Sequence, residues 1–395
     1  MNVLVLNCGS SSAKFAVLDT TGGRELVSGN AQRLGTPQAS LDFKKDGQKT
    51  SRALPGAGHA EALRAVVALL HELDLARHLG GIGHRVVHGG SFRASVAITP
   101  EVVALMEACI PLAPLHNPPN LLGIQIAQEL FPGLPQVGVF DTAFHQTMPP
   151  RAYVYPVPYE WLTSHGVRRY GFHGTSHRFV ARKALEVAGL PEDDHALVTA
   201  HLGNGCSAAA IRNGKSLDTT MGLTPLEGLV MGTRSGSVDP AIIGHMATAL
   251  HVPEARILDA LSKESGLLGV SGLSNDARTV EEAAAGGHAR AELALDIFCY
   301  VLAKHIAALV VPLGRLDALV FTGGIGENSD VLRGRVVSQL GFLGLQLDPA
   351  ANAATIRGKA GRITTGTRPS AVVVPTNEEL MIALDTAELA GRARA

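Results

Sequence analysis

At 395 residues the chain is too long for one ordinary hydrophobic core and long enough for two. Hydrophobic residues make up 46% and charged residues 17%, which excludes a disordered chain, and 34 basic against 35 acidic residues leave a net charge of -1 that argues against a nucleic-acid-binding face. Cys8, Cys109, Cys206 and Cys299 are scattered with no C-x-x-C pair, so free thiols in a reducing compartment are expected.

The N-terminal apolar run is too short for a secretory signal and has no basic lead. The longest greasy stretch, 293–313, is broken by Asp296, Lys304, His305 and Pro312, which predicts a buried helix and no membrane span. A cytoplasmic protein with no membrane or nucleic-acid partner is the expectation.

In chain order, strands are predicted at 3–7 and 14–19, joined by the polar glycine turn Asn7-Cys8-Gly9-Ser10-Ser11-Ser12. Lys44-Lys45-Asp46-Gly47 reads as a hairpin tip, and 59–78 carries a helical apolar period. A glycine-bounded strand follows, Gly81-Ile82-Gly83-His84-Arg85-Val86-Val87-His88. Helices are predicted at 100–110 and 120–130, the second capped by Asn120. A buried strand at 136–140 delivers Asp141. Prolines and tyrosines near 150 place a domain boundary there, giving 1–150 and 151–377. A helix is predicted from Arg178 to Ala188. The second half then opens as the first does: an apolar run, His201-Leu202-Gly203-Asn204-Gly205, and a second apolar run. Helices at 241–250, 254–264 and 280–310 precede a strand at 316–321, which ends in Thr322-Gly323-Gly324-Ile325-Gly326-Glu327-Asn328-Ser329. A strand at 371–374 leads into a closing helix of about 378–395, expected to pack back on the first domain. Alternation of strands, glycine turns and helices makes the class α/β.

Three strand-then-glycine turns with polar tips favour a nucleotide phosphate site, because backbone N–H groups at such tips let an anion approach. The two hairpin turns are expected to face each other across the phosphates. There is no G-x-x-x-x-G-K-[ST], so this is not a P-loop protein. His84/His88 and His173/His177 have a four-residue spacing but no nearby third ligand, so zinc is not expected. No G-x-S-x-G elbow supports a serine triad. Arg85 and Arg234 each lie in a glycine-rich stretch, one per half. Such a pair would clamp a transferring phosphoryl group, although each alone reads equally as a surface arginine. Asp141 and Glu378, ending strands, suit Mg²⁺ held through waters and nucleotide oxygens.

Taken together these stretches, with Pro114-Leu115-His116-Asn117-Pro118 and Asp141-Thr142-Ala143-Phe144-His145, resemble the acetate and propionate kinase family over nearly the whole chain. The resemblance implies a two-domain actin, sugar kinase and Hsp70-like fold with a duplicated sheet-and-helix core and an interdomain cleft. It implies ATP/ADP as co-substrate, Mg²⁺ or Mn²⁺, a homodimer, and reversible transfer from ATP to acetate. By resemblance, Arg85, Asp141, His173, Asn204 and Arg234 are catalytic, and Asn7 and Glu378 lie at the metal. Val87, Leu115, Phe172 and Pro225 form the methyl pocket around the acetate held by Arg85. Lys14, His201, Leu202, Gly203, Asn204, Gly205, Asp276, Ala277, Arg278, Gly324, Ile325, Gly326, Glu327 and Asn328 line the nucleotide. A propionate kinase with the same mechanism is the enzyme alternative. An Hsp70-like or actin-like nucleotide-gated binding protein is the alternative from another class.

Overall fold

The computed structural model describes residues 1–114 and 116–394. It divides into two units, Met1–Gln146 with Asn377–Ala395, and Thr147–Thr376. The division falls after Gln146, and the closing helix Glu378–Arg394 belongs to the first unit.

Unit 1 is built on eight strands: β1 (Asn2–Gly9), β2 (Ser12–Asp19), β3 (Arg24–Gln32), β4 (Ser40–Lys45), β5 (Gln48–Ala53), β6 (Leu79–Val86), β7 (Val96–Ala97) and β8 (Gln136–Phe140). They lie in the order β5-β4-β3-β2-β1-β6-β8-β7. β1 to β5 form an antiparallel meander, while β6 and β8 join β1 in parallel. Side chains alternate across the sheet, as the two-residue period of a strand requires. Leu4, Leu6, Phe15 and Val17 enter the core against helix His59–Glu72, whereas Val3, Val5, Ala16 and Leu18 pack on Ile382 and Ala383 of the closing helix. Gly83 makes the second contact possible: a Cβ there would lie 2.4 Å from Thr386 Oγ1 and 2.6 Å from Ile382 Cγ2. This glycine therefore admits the closing helix.

Unit 2 carries β9 (Ala196–Leu202), β10 (Cys206–Arg212), β11 (Lys215–Thr219), β12 (Ala318–Thr322), β13 (Gly361–Arg362) and β14 (Ser370–Val373), ordered β11-β10-β9-β12-β14-β13. Again a hairpin and a third antiparallel strand come first, followed by two strands added in parallel. Taken by order of appearance, β3-β2-β1-β6-β8 and β11-β10-β9-β12-β14 follow one scheme, 3-2-1-4-5. The duplication read from the two opening hairpins thus extends to the whole central sheet. The carboxyl ends of the parallel strands, where ligands bind in open α/β sheets, carry Arg85, Asp141, Thr322 and the approach to Glu378.

The apolar 293–313 stretch lies within helix Ala289–Leu313, which among the described residues is alone in being long and apolar enough to cross a membrane. Leu295, Phe298, Leu302, Ile306 and Leu309 are buried within the structure. All four cysteines are free and buried.

Two helix starts differ from the sequence reading. Helix Asn117–Leu130 begins at Asn117, because Pro118 and Pro119 sit in a first turn that needs no N–H partners. Asn120 is therefore inside the helix and is not its cap. Helix Gly174–Ala188 begins four residues before Arg178, with His173 at its N-cap in the left-handed region at φ 55°.

Candidate active site

In unit 1 the chemistry gathers at the carboxyl ends of β6 and β8. Arg85 Nε donates to Asp141 Oδ1 at 3.0 Å and its Nη2 to Oδ2 at 2.8 Å, a two-pronged pair. Arg85 Nε also lies 3.5 Å from Glu378 Oε2, at the first residue of the closing helix. Asp141 is almost wholly buried, and Glu378 retains 17% side-chain exposure. Burial holds the Glu378 carboxyl above the usual glutamate value; the Arg85 and Lys14 charges oppose that shift and Asp141 adds to it. For Arg85, burial opposes the charge, but Asp141 and Glu378 outweigh it and hold the guanidinium's pKa above its usual value.

The segment after β6 is fixed by buried amides. Asn120 Oδ1 accepts from Val87 N–H at 3.1 Å while its Nδ2 donates to the Cys8 carbonyl at 2.7 Å. Asn117 accepts from His88 N–H and donates to the His88 carbonyl, and Thr142 Oγ1 accepts from Gly89 N–H. Asn120 thus ties Cys8, in the first hairpin, to Val87, two residues past Arg85. His84 is buried on Gln136 at 2.7 Å, and burial lowers its pKa to about 4. Burial also lowers the His88 pKa to about 4, and its Nδ1 accepts from Gly90 N–H.

Unit 2 holds a different assembly. His173 and His177 both share hydrogen bonds of 2.8 Å with Ser207 Oγ, and His177 is held by Thr199 on its other nitrogen. His201 stacks on His173 with ring centroids 4.3 Å apart and shares a hydrogen bond with Ser176. Gly203, Asn204 and Gly205 form the turn between β9 and β10. Asn204 stands exposed there and accepts from Asn275 Nδ2 at 3.0 Å. Beside Gly205 runs the Arg234 guanidinium, donating to the Pro225 carbonyl at 3.0 Å. Among the described residues no carboxylate pairs with Arg234, and burial lowers its pKa.

Next to this turn lies a cavity of about 450 Å³. Of the residues expected at the nucleotide, Gly203, Asn204, Asp276, Ala277, Arg278, Gly324, Ile325 and Asn328 line it. Ser329, the last residue of the glycine turn, and Asn275, next to Asp276, line it as well, as does Glu281, which the sequence did not single out. Leu202 and Gly326 are buried away from the cavity wall, His201 belongs to the histidine group, and the Glu327 carboxylate accepts from Gly323 and Thr376 N–H. Lys14 belongs to unit 1 and stands exposed opposite Asn7 in the β1–β2 hairpin. Of the methyl-pocket residues, Val87 is in unit 1, fully buried Phe172 and partly buried Pro225 are in unit 2, and Leu115 lies outside the described residues.

Among the described residues no three His, Cys, Asp or Glu side chains come together to enclose a metal. Asp141 and Glu378 are hard oxygen donors on one buried arginine. Such a set fits Mg²⁺, which keeps waters and takes its remaining ligands from substrate phosphates.

Two sheets of one strand order, with glycine turns and half-buried arginines at their strand ends, are consistent with the actin and sugar kinase-like fold class. The chain matches the Acetokinase family over residues 2–384 and belongs to it. It is 55% identical to acetate kinase of Chromobacterium violaceum over 393 residues, covering 99% of each chain. It is 54% identical to acetate kinase of Deinococcus radiodurans over 392 residues, covering 99% of this chain and 98% of that one. Among solved structures, a propionate kinase from Francisella tularensis superposes with a TM-score of 0.94 at 44% identity, and Porphyromonas gingivalis acetate kinase with 0.92 at 45%. Each pairing covers 98% of this chain and 99% of the other.

Proposed function

We propose that the protein catalyses reversible phosphoryl transfer from ATP to acetate, giving acetyl phosphate and ADP. The observation that carries this reading is Arg234: a guanidinium with no carboxylate partner among the described residues, beside His173 and a glycine turn whose Gly203 and Asn204 line a cavity of about 450 Å³. Such a charge lacks only an anion. On this reading Arg234 and His173 stabilise charge on the transferring phosphoryl group, and Asn204 donates to it from the turn. Arg85 orients the acetate carboxylate. A carboxylate is ionised at neutral pH, its pKa being about 4, so no base is required to activate it. The donors found here (guanidinium, imidazole and amide) suit in-line transfer to such a nucleophile.

Asn7, Asp141 and Glu378 are the residues that would hold Mg²⁺. When bound, the ion would neutralise phosphate charge. Arg85 bridges these two carboxylates, pairing with Asp141 and lying 3.5 Å from Glu378.

The relatives support acetate as acceptor, and the propionate kinase structure supports the second reading, propionate, with the same mechanism. One methylene in an apolar pocket is worth only about 1–3 kcal/mol, so the two readings differ by a modest factor in kcat/KM. Acyl hydroxamate formation from acetate, propionate and butyrate decides between them. A tenfold or greater lead for acetate supports acetate kinase; propionate equal or ahead changes the acceptor and leaves the mechanism.

The homodimer belongs to this proposal too. Helix Ala241–Leu250 is apolar in sequence, yet none of its residues is buried, and Leu250 is 57% exposed. An uncovered face of this kind suits a second copy. The four free cysteines suit the reducing cytoplasm.

A further inference from the structure

Glu327 stands in the glycine-rich turn whose neighbours Ile325 and Asn328 line the cavity, yet its carboxylate serves the protein backbone. Oε1 accepts from Gly323 N–H at 3.0 Å and from Thr376 N–H at 3.0 Å, with the Thr322 hydroxyl at 3.4 Å. Gly323 opens the turn with φ +76°, and Thr376 is where the chain leaves unit 2. Both N–H groups lie just beyond the ends of β12 and β14, where no neighbouring strand takes them. Left unmade, each would cost a buried hydrogen bond. One charged acceptor satisfies both, more strongly than a neutral oxygen would.

The chain of contacts continues. Thr376, held through its own N–H, shares a hydrogen bond of 2.8 Å from its hydroxyl with Ser176 Oγ, and Ser176 shares another of 2.8 Å with His201 Nδ1. His201 is stacked on His173. A single carboxylate thus reaches the nucleotide turn in one step and the histidine pair in three, all within unit 2.

We propose that Glu327 is a positioning residue that sets the glycine turn and the His173–His201 pair in register with each other. This rests on the phosphotransfer reading for its kinetic consequences, but not for its effect on nucleotide binding. The acetate carboxylate is assigned to Arg85 in unit 1, so the acceptor's KM should be spared.

The test compares wild type, Glu327→Ala, Glu327→Gln and Thr376→Val. Each is assayed for kcat, KM for ATP and acetate, ADP affinity by calorimetry, and thermal midpoint. Glu327→Ala is expected to lose about tenfold to a hundredfold in kcat and about tenfold in ADP affinity, with the acetate KM within about twofold of wild type. Glu327→Gln keeps an acceptor oxygen and is expected to recover to within about fivefold of wild type in kcat. Thr376→Val keeps the N–H held by Glu327 and removes the hydroxyl. It should lower kcat about threefold to tenfold and leave ADP affinity unchanged. A lowered midpoint with ADP affinity and kcat within twofold of wild type in the folded Glu327→Ala protein overturns the proposal. If that variant does not fold, a Thr376→Val enzyme with wild-type kcat overturns it instead. If wild type makes no acyl phosphate yet Glu327→Ala loses ADP affinity, the acceptor reading fails and the positioning of the turn stands.

Discussion

Arg85 and Arg234 are both largely withdrawn from water at strand ends or glycine turns, and their surroundings treat the charge in opposite ways. Arg85 is matched by Asp141 at 2.8 Å and Glu378 at 3.5 Å. Arg234 has a carbonyl, a methionine sulfur and a glycine turn, and burial lowers its pKa. The first arginine is part of the architecture before any substrate arrives. The second holds a half-buried charge whose partners are a carbonyl and a sulfur, with no carboxylate among the described residues. One site is preorganised by internal pairing, the other by leaving a place for substrate charge.

The comparison is broken most directly by removing each arginine. Arg85→Ala and Arg234→Ala should each lose on the order of 10³ in kcat, as removal of an arginine finger does. Losses below tenfold in both would end the phosphoryl-stabilising reading. Stability should separate them. Arg85→Ala leaves the buried Asp141 carboxylate without its paired cation and removes the nearer cation from Glu378, a loss of about 3–5 kcal/mol in urea unfolding. Arg234→Ala should leave the unfolding free energy unchanged or raise it, since the fold then no longer holds a desolvated charge without a carboxylate partner among the described residues.

The glycine turn of unit 2 comes next in size. A methyl at Gly323 would lie 2.7 Å from the Leu202 carbonyl oxygen at φ +76°, so Gly323→Ala should cost at least about 1–3 kcal/mol and weaken ADP binding in calorimetry. In unit 1 the corresponding support is amide rather than glycine. Asn120→Ala leaves Val87 N–H and the Cys8 carbonyl without their partner, for about 1–3 kcal/mol in urea unfolding. Its acetate KM should rise while ATP KM holds, a split opposite to that expected at Glu327.

The smallest effect is a pH dependence confined to unit 1. Burial raises the Glu378 pKa, so the folded protein takes up this proton before the unfolded chain does. Its contribution to stability is therefore least favourable at neutral pH and improves as pH falls through the folded-state value. Glu378→Gln should unfold at a higher midpoint than wild type at pH 7, with the gap closing as pH falls through the carboxylate range. A gap that widens on acidification would mean that Arg85 outweighs burial at this position.

Several site residues were legible because their signal is local. Gly203-Asn204-Gly205 announces a tight turn whatever surrounds it, and the two opening hairpins announce a repeat by their similarity. Asp141 and Arg85 follow apolar runs that must end at a sheet edge. Other residues misled for a physical reason. Asn120 has the chemistry of a cap, but two prolines start the helix earlier and its amide is drawn to Cys8 and Val87. Glu327 lies amid cavity residues, but two N–H groups beyond strand ends turn it inward. Glu281 carries no sequence signal at all, being one acid on a helical face; only the placement of helix Ala277–Ala285 beside Ser329 brings it to the cavity.

Periodicity and turn chemistry, which act over a few residues, determined by themselves the α/β class, the duplicated hairpins, the glycine turns and the candidate arginines. The tertiary structure alone decided which charges are paired. Asp141 lies 56 residues from Arg85, and Glu378 far beyond it, so their meeting depends on the order of strands in the sheet and on the return of the closing helix. Whether a guanidinium is neutralised or left to wait for an anion is a matter of through-space distance, to which sequence spacing is blind.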